Sequence, residues 1–356
     1  MWWRYRVGVV MLTAVAAVML TAVAASQALV AQNDPGTRYR AGYEELRITD
    51  PTRTRPIQLD VWYPAEADET AHRYGLSTGR VAPGAPIATG LFPVILLSHG
   101  ALGAATNYAW IAERLARSAF VVVGVSHFGE SRVFGEATIN LASVADFGAR
   151  TRDFSFALDF VLQRSKWASG VDGGRVGALG HSSGGATVAM LAGGQYRSEA
   201  MAAFCLSTEG NTDRGCGYRA GAPTQTVSAP PTVESRVRAV VLLDPAVGPG
   251  FDSPGLASVK APALVVGSVS NDFMPFALNA QRYAGFLPNA EAIRLDRGEG
   301  HFVYLDECSA PVEAMGIRIC SDRPGVIRGD VHRRLGALVV DFLTRQLHAQ
   351  AGPPKP

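Results

Sequence analysis

Four short apolar runs that do not alternate with polar residues constrain this chain most: FPVILL at 92–97, FVVVGV at 120–125, VRAVVLL at 237–243 and ALVV at 263–266. A run of this kind fits a strand buried on both faces, the position of a strand inside a parallel sheet. Helical periodicity lies between the runs. Tyr108, Ile111, Ala112 and Leu115 share one face, and Phe154, Ala157, Leu158, Val161 and Leu162 share another. An apolar helix is predicted from about Ala186 to Leu191, and a closing helix is marked by Val331, Leu335, Leu338, Val339 and Phe342, with Asp330 as its cap. RVGAL at 175–179 predicts a further strand, and the alternating IQLDVWY at 57–63 another. Strands that alternate with helices build βαβ units, so the fold class is α/β: a mostly parallel central sheet flanked by helices. Residues 32–50 carry no core pattern, and 64–91, rich in Gly, Pro and Ala, read as a surface loop.

No repeat and no linker divides residues 32–350, which are read as a single domain with a short tail at 351–356. The stretch 193–235 is too long and polar for a simple connection, and is expected to be a lid-like insertion before the strand region that bears the acid. Hydrophobic residues make up 47% of the 356, which excludes wholesale disorder. Thirty-three basic against thirty-one acidic residues, with no block of one sign, leave no electrostatic footprint for nucleic acid.

Arg4 and Arg6 precede an apolar run from Val7 to Ala25, followed by small residues at Ala22-Val23-Ala24 and Ser26-Gln27-Ala28. Residues 1–31 therefore read as a secretory signal, with an uncleaved membrane anchor over 7–25 as the alternative. Export, periplasmic or extracellular, permits disulfides. Cys205 with Cys216 and Cys308 with Cys320 are the simplest pairings by proximity, against four free or buried thiols. No zinc spacing accompanies them.

Gly180-His181-Ser182-Ser183-Gly184 matches G-x-S-x-G. The string alone is weak, but it directly follows the strand RVGAL and opens the helix GATVAML. This is the strand–turn–helix setting of a nucleophile elbow, where a serine on a sharp, strained turn stands clear of the sheet. A Cβ at 180 or 184 would meet neighbouring chain, hence glycine. The helix N-terminus behind the serine favours developing negative charge.

Serine needs a base, and the base an orienting acid, in the chain order Ser, acid, His. Three histidines follow Ser182. His332 falls inside the closing helix and His348 near the tail, whereas His301 sits in the loop Gly298-Glu299-Gly300-His301-Phe302, after the strand-like Ala292–Leu295. His301 is the expected base. Two carboxylates qualify as acid: Asp244 at the end of VRAVVLL, and Asp272 after ALVV. Oxyanion donors are expected from the backbone N–H of Ser183 and from the turn after PVILLSHG, at Ala101 with Leu102 as the alternative. His99 precedes that turn and is read as shaping it. His127, Glu130 and Asp146 lack ligand spacing and read as a polar loop, so no metal is expected. No G-x-G-x-x-G and no Walker loop occurs in the required setting, so no cofactor is expected.

DVWYPA at 60–65, FPVILLSHG at 92–100, GHSSGGATV at 180–188, LLDPAVGPG at 242–250 and GEGHFVYLDEC at 298–308 together resemble the α/β-hydrolase superfamily, in its dienelactone-hydrolase-like and platelet-activating-factor-acetylhydrolase-like branch. The resemblance implies a serine esterase with Ser182 as nucleophile and His301 as base. True dienelactone hydrolases carry cysteine at the elbow, so the likeness describes ancestry rather than substrate. The acetylhydrolases place the acid in a context like Leu243-Asp244. Cutinase-like polyester hydrolases place it one strand later, where an ungapped alignment from Pro262 to Pro275 falls on Asn271, one residue before Asp272. Asp244 is preferred.

The leading expectation is an exported serine carboxylic-ester hydrolase. Its partner would be a short-acyl lipid, small-molecule or polymer ester. A thioesterase or amidase with the same triad, and a catalytically silent binding protein on this fold, are the alternatives.

Overall fold

The computed structural model describes residues 38–218, 229–314 and 317–348, which belong to one compact unit. The signal or anchor reading at 1–31 and the tail at 351–356 lie outside the described residues. Ten strands form one sheet: β1 (Arg40–Asp50), β2 (Arg55–Ala65), β3 (Thr70–Tyr74), β4 (Ser77–Pro83), β5 (Phe92–Ser98), β6 (Val121–His127), β7 (Val171–His181), β8 (Val237–Leu243), β9 (Ala263–Ser268) and β10 (Ala290–Leu295). Their order is β10-β9-β8-β7-β5-β6-β2-β1-β4-β3. From β10 to β6 every pairing is parallel, while β2 runs antiparallel to both β6 and β1. The fold is α/β, a mixed and mostly parallel sheet flanked by helices.

The non-alternating runs are explained by two cores, one on each face. In β5, Val94 and Leu96 pack on one face while Ile95 and Leu97 pack on the other. In β8, Val240 and Leu242 face one core, and Ala239, Val241 and Leu243 the other. The first core takes its helical side from α2 (Phe147–Gln163), α3 (Ser183–Leu191), α5 (Ser253–Ala257) and α6 (Ala280–Phe286), the second from α1 (Ala109–Arg117) and α7 (Arg328–His348). A strand covered twice has no solvent face on which to place polar residues.

Two segments depart from the sequence reading. Residues 40–50 form β1, whose only apolar alternation is Leu46 and Ile48 beyond the buried Ala41 and Tyr43. Residues 70–83 are not loop but the hairpin β3–β4, joined by the two-residue turn Gly75-Leu76 with Gly75 at φ 59°. Glycine takes that left-handed value without the Cβ penalty, which is why a Gly-x pair can close a hairpin. Both strands lie at the open end of the sheet, where polar residues are tolerated. The closing helix begins at Arg328, so Asp330 lies in its first turn instead of capping it, and Leu338 faces out at 38% exposure.

The stretch 193–235, expected to be an insertion, carries more structure over its described residues than its composition suggests. It contains α4 (Ser198–Cys205) and two short 3-10 turns, Glu209–Thr212 and Arg214–Tyr218. Cys205–Cys216 and Cys308–Cys320 are both disulfides, with Cα separations of 5.4 and 5.6 Å. Among the described residues no helix is long and apolar enough to cross a membrane.

Candidate active site

The carboxyl ends of β5, β7, β8, β9 and β10 point to one edge of the sheet, where open α/β folds collect ligands. β7 ends in His181, and Ser182 follows at φ 55°, ψ −123°, a backbone state that a non-glycine residue adopts only under strain. Neighbouring chain holds the strain in place. The Ser182 N–H donates to the Leu243 carbonyl at 3.0 Å, and its own carbonyl accepts from Ala246 N at 3.1 Å. α3 then starts at Ser183, with its N-terminus directed at the serine.

The glycines make this turn feasible. A Cβ on Gly180 would lie 2.2 Å from the Gly184 carbonyl oxygen, and one on Gly184 would lie 2.1 Å from the Ser98 carbonyl oxygen. The same close packing brings the turn after β5 against the elbow: a Cβ on Gly100 would come within 3.3 Å of Ser182 Cβ. Ala101 and Leu102 lie in this turn, which Gly103 N closes onto the Gly100 carbonyl at 3.1 Å, with Leu102 at φ 57°.

β8 ends at Leu243, and the next residue, Asp244, is fully buried at φ 45°. Its Oδ2 meets Nδ1 of His301 at 2.8 Å and accepts from Asn271 Nδ2 at 2.6 Å, while its Oδ1 accepts from Ser268 N at 3.2 Å. Burial pushes the carboxyl above its ordinary value, and the hydrogen bond to His301 is the largest influence pulling it back. The contact assigns the imidazole proton to Nδ1 and leaves the lone pair on Nε2. Phe273 stacks on the imidazole at 5.1 Å and 12°, and Phe302 meets it edge-on at 5.0 Å.

Asp272, the other candidate acid, does not touch the ring. Its Oδ1 accepts from the backbone N–H of His301 at 3.0 Å. His332 is half of a different arrangement: its Nε2 donates to the Val303 carbonyl at 2.8 Å and its ring stacks on Trp110 at 4.0 Å. His348 is in the last turn of α7.

His99 shapes the turn, as expected: its Nδ1 donates to the Gly100 carbonyl at 2.6 Å, while its Nε2 accepts from His127 N at 3.1 Å. His127 and Glu130 depart from the polar-loop reading, His127 being the last residue of β6. Both are buried, His127 against Asp153 at 2.9 Å and Glu130 in a two-bonded pair with Arg150. Asp146 accepts from Ala149 N at the start of α2. Among the described residues, no group of three or more His, Cys, Asp or Glu could hold a metal ion.

Ser182 and Ser183 open into a cleft walled by Val144, Phe147, Met201, Ala246 and Phe273, with Asp213 and Tyr218 from the insertion. Three residues of this region were not singled out in the sequence: His181, Tyr108 and Asn271. His181 stands at the variable position of the pentad, Tyr108 counts as an ordinary core residue of a helical stripe, and Asn271 occupies the slot where an acid was sought.

The mostly parallel ten-stranded sheet flanked by helices is an α/β-hydrolase-like fold. The fold is similar to that of a ferulic acid esterase from Streptomyces cinnamoneus, with a TM-score of 0.62 over 91% of this chain and 95% of that one, at 18% sequence identity. At that identity the likeness speaks to the fold. No protein-family profile and no curated protein sequence matches the chain.

Proposed function

We propose that this protein is a serine carboxylic-ester hydrolase of the dienelactone-hydrolase-like and acetylhydrolase-like branch. The single observation that carries the reading is the 2.8 Å contact between His301 Nδ1 and the buried Asp244, on a histidine packed 4.6 Å from the ring of His181, the residue before the strained Ser182. The esterase with a similar fold supports ester hydrolysis in general.

In this mechanism Ser182 Oγ attacks the ester carbonyl carbon and its proton passes to His301 Nε2. Asp244 holds the imidazole in the Nδ1–H tautomer and stabilises the imidazolium. Backbone N–H groups of Ser183 and Ala101 receive the oxyanion, helped by the N-terminus of α3. Collapse breaks the ester C–O bond, and the alkoxide leaves with the proton from His301. Water, activated by the same nitrogen, then attacks the acyl-serine ester and releases the acid.

The mostly apolar wall around Ser182, with Met201 and Tyr218 supplied by the insertion, suits short-acyl lipid or polyester-type esters and makes the 193–218 region the outer wall of the acyl site. Two disulfides favour an oxidising, exported location. The test is labelling by a fluorophosphonate probe together with turnover of nitrophenyl esters of rising acyl length. Wild type should label at Ser182 and turn over, and Ser182→Ala should do neither while keeping its fold. A folded wild type that does not label at Ser182 overturns the proposal.

A further inference from the structure

A line of three buried hydrogen bonds runs through the site without bonding to the reacting atoms, the ring of His181 packing beside that of His301. Gly100 N–H donates to Tyr108 Oη at 3.0 Å, Tyr108 Oη meets His181 Nδ1 at 2.8 Å, and His181 Nε2 meets the backbone carbonyl of His301 at 3.0 Å. Exposure along it is 1% at Tyr108 and 2% at both His181 and His301. Its direction is dictated at each end. An amide N–H can only donate and a carbonyl can only accept. His181 therefore carries its proton on Nε2, Nδ1 accepts, and the Tyr108 hydroxyl both accepts from Gly100 and donates to His181.

On the hydrolase reading above, we infer that His181 and Tyr108 are positioning residues: they tie the turn that carries the oxyanion donor to the loop that carries the base, through the elbow itself. His301 follows β10 on a loop, so its imidazole is placed only as well as its backbone is held. Three side-chain bonds hold that backbone. Asp272 takes the His301 N–H at 3.0 Å, Ser268 Oγ donates to the Gly300 carbonyl at 3.1 Å, and His181 takes hold of the His301 carbonyl. At the other end Tyr108 anchors the first amide of the Gly100–Gly103 turn. Burial and the neighbouring His301 push the His181 imidazole well below its ordinary value, which keeps the ring neutral and the line in a single arrangement. Misplacing a reacting group by about 1 Å costs on the order of a hundredfold in rate, so a bond of this kind has kinetic consequences without contacting substrate.

Two substitutions at position 181 separate the halves of the line. His181→Asn keeps an oxygen near Nδ1 to accept from Tyr108 but has no donor that reaches the His301 carbonyl. His181→Gln extends its amide N–H to the place of Nε2. On nitrophenyl esters we expect His181→Asn to lower kcat by roughly 10- to 100-fold with KM little changed, and His181→Gln to recover most of the loss. Tyr108→Phe keeps the ring and removes the hydroxyl, and should also lower kcat selectively. In the proton NMR spectrum, the downfield signal of the His301 Nδ1–H facing Asp244 should shift in His181→Asn and stay in His181→Gln, a readout independent of turnover. Equal kcat in the Asn and Gln variants, an effect confined to KM, or an unmoved signal overturns the inference. Wild type that labels at Ser182, with all three variants labelling at the wild-type rate, sinks the positioning role alone. Wild type that fails to label sinks the hydrolase reading and this role with it.

Discussion

Asn271 donates its side-chain amide at 2.6 Å to Oδ2 of Asp244, the same oxygen that meets His301 at 2.8 Å. One carboxylate oxygen therefore serves a neutral donor and the imidazole, inside a fully buried setting where an unpaired charge would be costly. Asp244→Asn should remove the orienting charge and lower kcat by about 10⁴, the size of the effect in a trypsin-like triad. Asp272→Asn should change kcat little, because an amide oxygen can still accept from the His301 N–H. Asn271→Ala removes the bond to Asp244 together with the oxygen that accepts from Phe273 N and Met274 N at 2.8 Å each, and should lower kcat by at least roughly tenfold. Steady-state kinetics of the three variants decide the order. A large loss confined to Asp272→Asn would show the wrong carboxylate has been given the role.

The parallel half of the sheet was legible because burial on two faces writes an unbroken apolar run, and no other common element of that length does. At the antiparallel end only β2 was legible, from the alternation of residues 57–63, since β1 and the β3–β4 hairpin lie near the sheet's open edge. Arg47, Arg73 and other polar residues sit there at no cost, and the turns are marked by Gly75 and Gly84. Ser182 could be read because a close-packed turn demands glycine at 180 and 184, a demand visible in the string itself. The preference for Asp244 over Asp272 came from a resemblance and not from spacing, since both follow strands that end at one edge and their separation from His301 depends on loop geometry. His181 and Tyr108 were missed for a related reason: a buried polar pair has no spacing signature when its partners come from different loops.

The disulfide Cys205–Cys216 encloses Asp213 and Gly215, which line the cleft beside Ser182, whereas none of the described residues in the loop closed by Cys308–Cys320 lines it, Ile317 packing against the Ala246, Phe273 and Met274 cluster of the wall. Each closes a loop of similar length, with sequence separations of 11 and 12. Loop-closure entropy puts the stabilisation at up to about 3 kcal/mol apiece. Both Cys205→Ser/Cys216→Ser and Cys308→Ser/Cys320→Ser should therefore lower Tm, and so should a reducing agent on the wild type. The first pair should also alter the acyl-length preference, because it frees residues that line the acyl site, and the second pair should alter it much less, because Ile317 only backs that wall. Identical preference profiles for the two double variants would remove the insertion from specificity, and an unchanged Tm on reduction would count against stabilising disulfides.

Stability should also carry a histidine signature. Burial pushes the His332 imidazole down from 6.5 to about 4, outweighing the hydrogen bond to the Val303 carbonyl, with the charge of Arg328 acting in the same direction as burial. Between those values the unfolded chain binds a proton that the folded chain refuses, so this contribution is complete above about pH 6.5 and is lost as pH falls toward 4. Buried Asp60 and Asp306, both raised to about 7, work the opposite way: they favour the folded state at low pH and lose that advantage as pH rises toward 7. The wild-type profile alone thus mixes both signs. The difference between wild type and His332→Gln isolates the imidazole. It should change by no more than about 3 kcal/mol across the window, since each tenfold change in proton affinity is worth about 1.4 kcal/mol. Urea midpoints at intervals from pH 7 to 4 measure it. A difference that does not vary with pH would mean that His332 protonates equally in both states.

Arg150 and Glu130 form a buried pair, at 0% and 1% side-chain exposure, with contacts of 2.8 and 2.5 Å. Arg150 also donates to the His99 carbonyl at 2.9 Å, on the chain that packs against Gly184 and leads into the Gly100 turn. Removing one member leaves a desolvated charge, so Glu130→Ala should cost roughly 3–5 kcal/mol of folding stability. Replacing both by apolar residues, as in Glu130→Leu/Arg150→Met, removes that unpaired charge and should recover much of the loss in denaturant titration. Activity should not follow stability. The double variant still lacks the bond that fixes His99, so its kcat should stay below wild type even at temperatures where it is fully folded. A double variant with wild-type kcat would show that the Gly100 turn is held without Arg150. A Glu130→Ala variant as stable as wild type would show that the guanidinium finds water or another acceptor there.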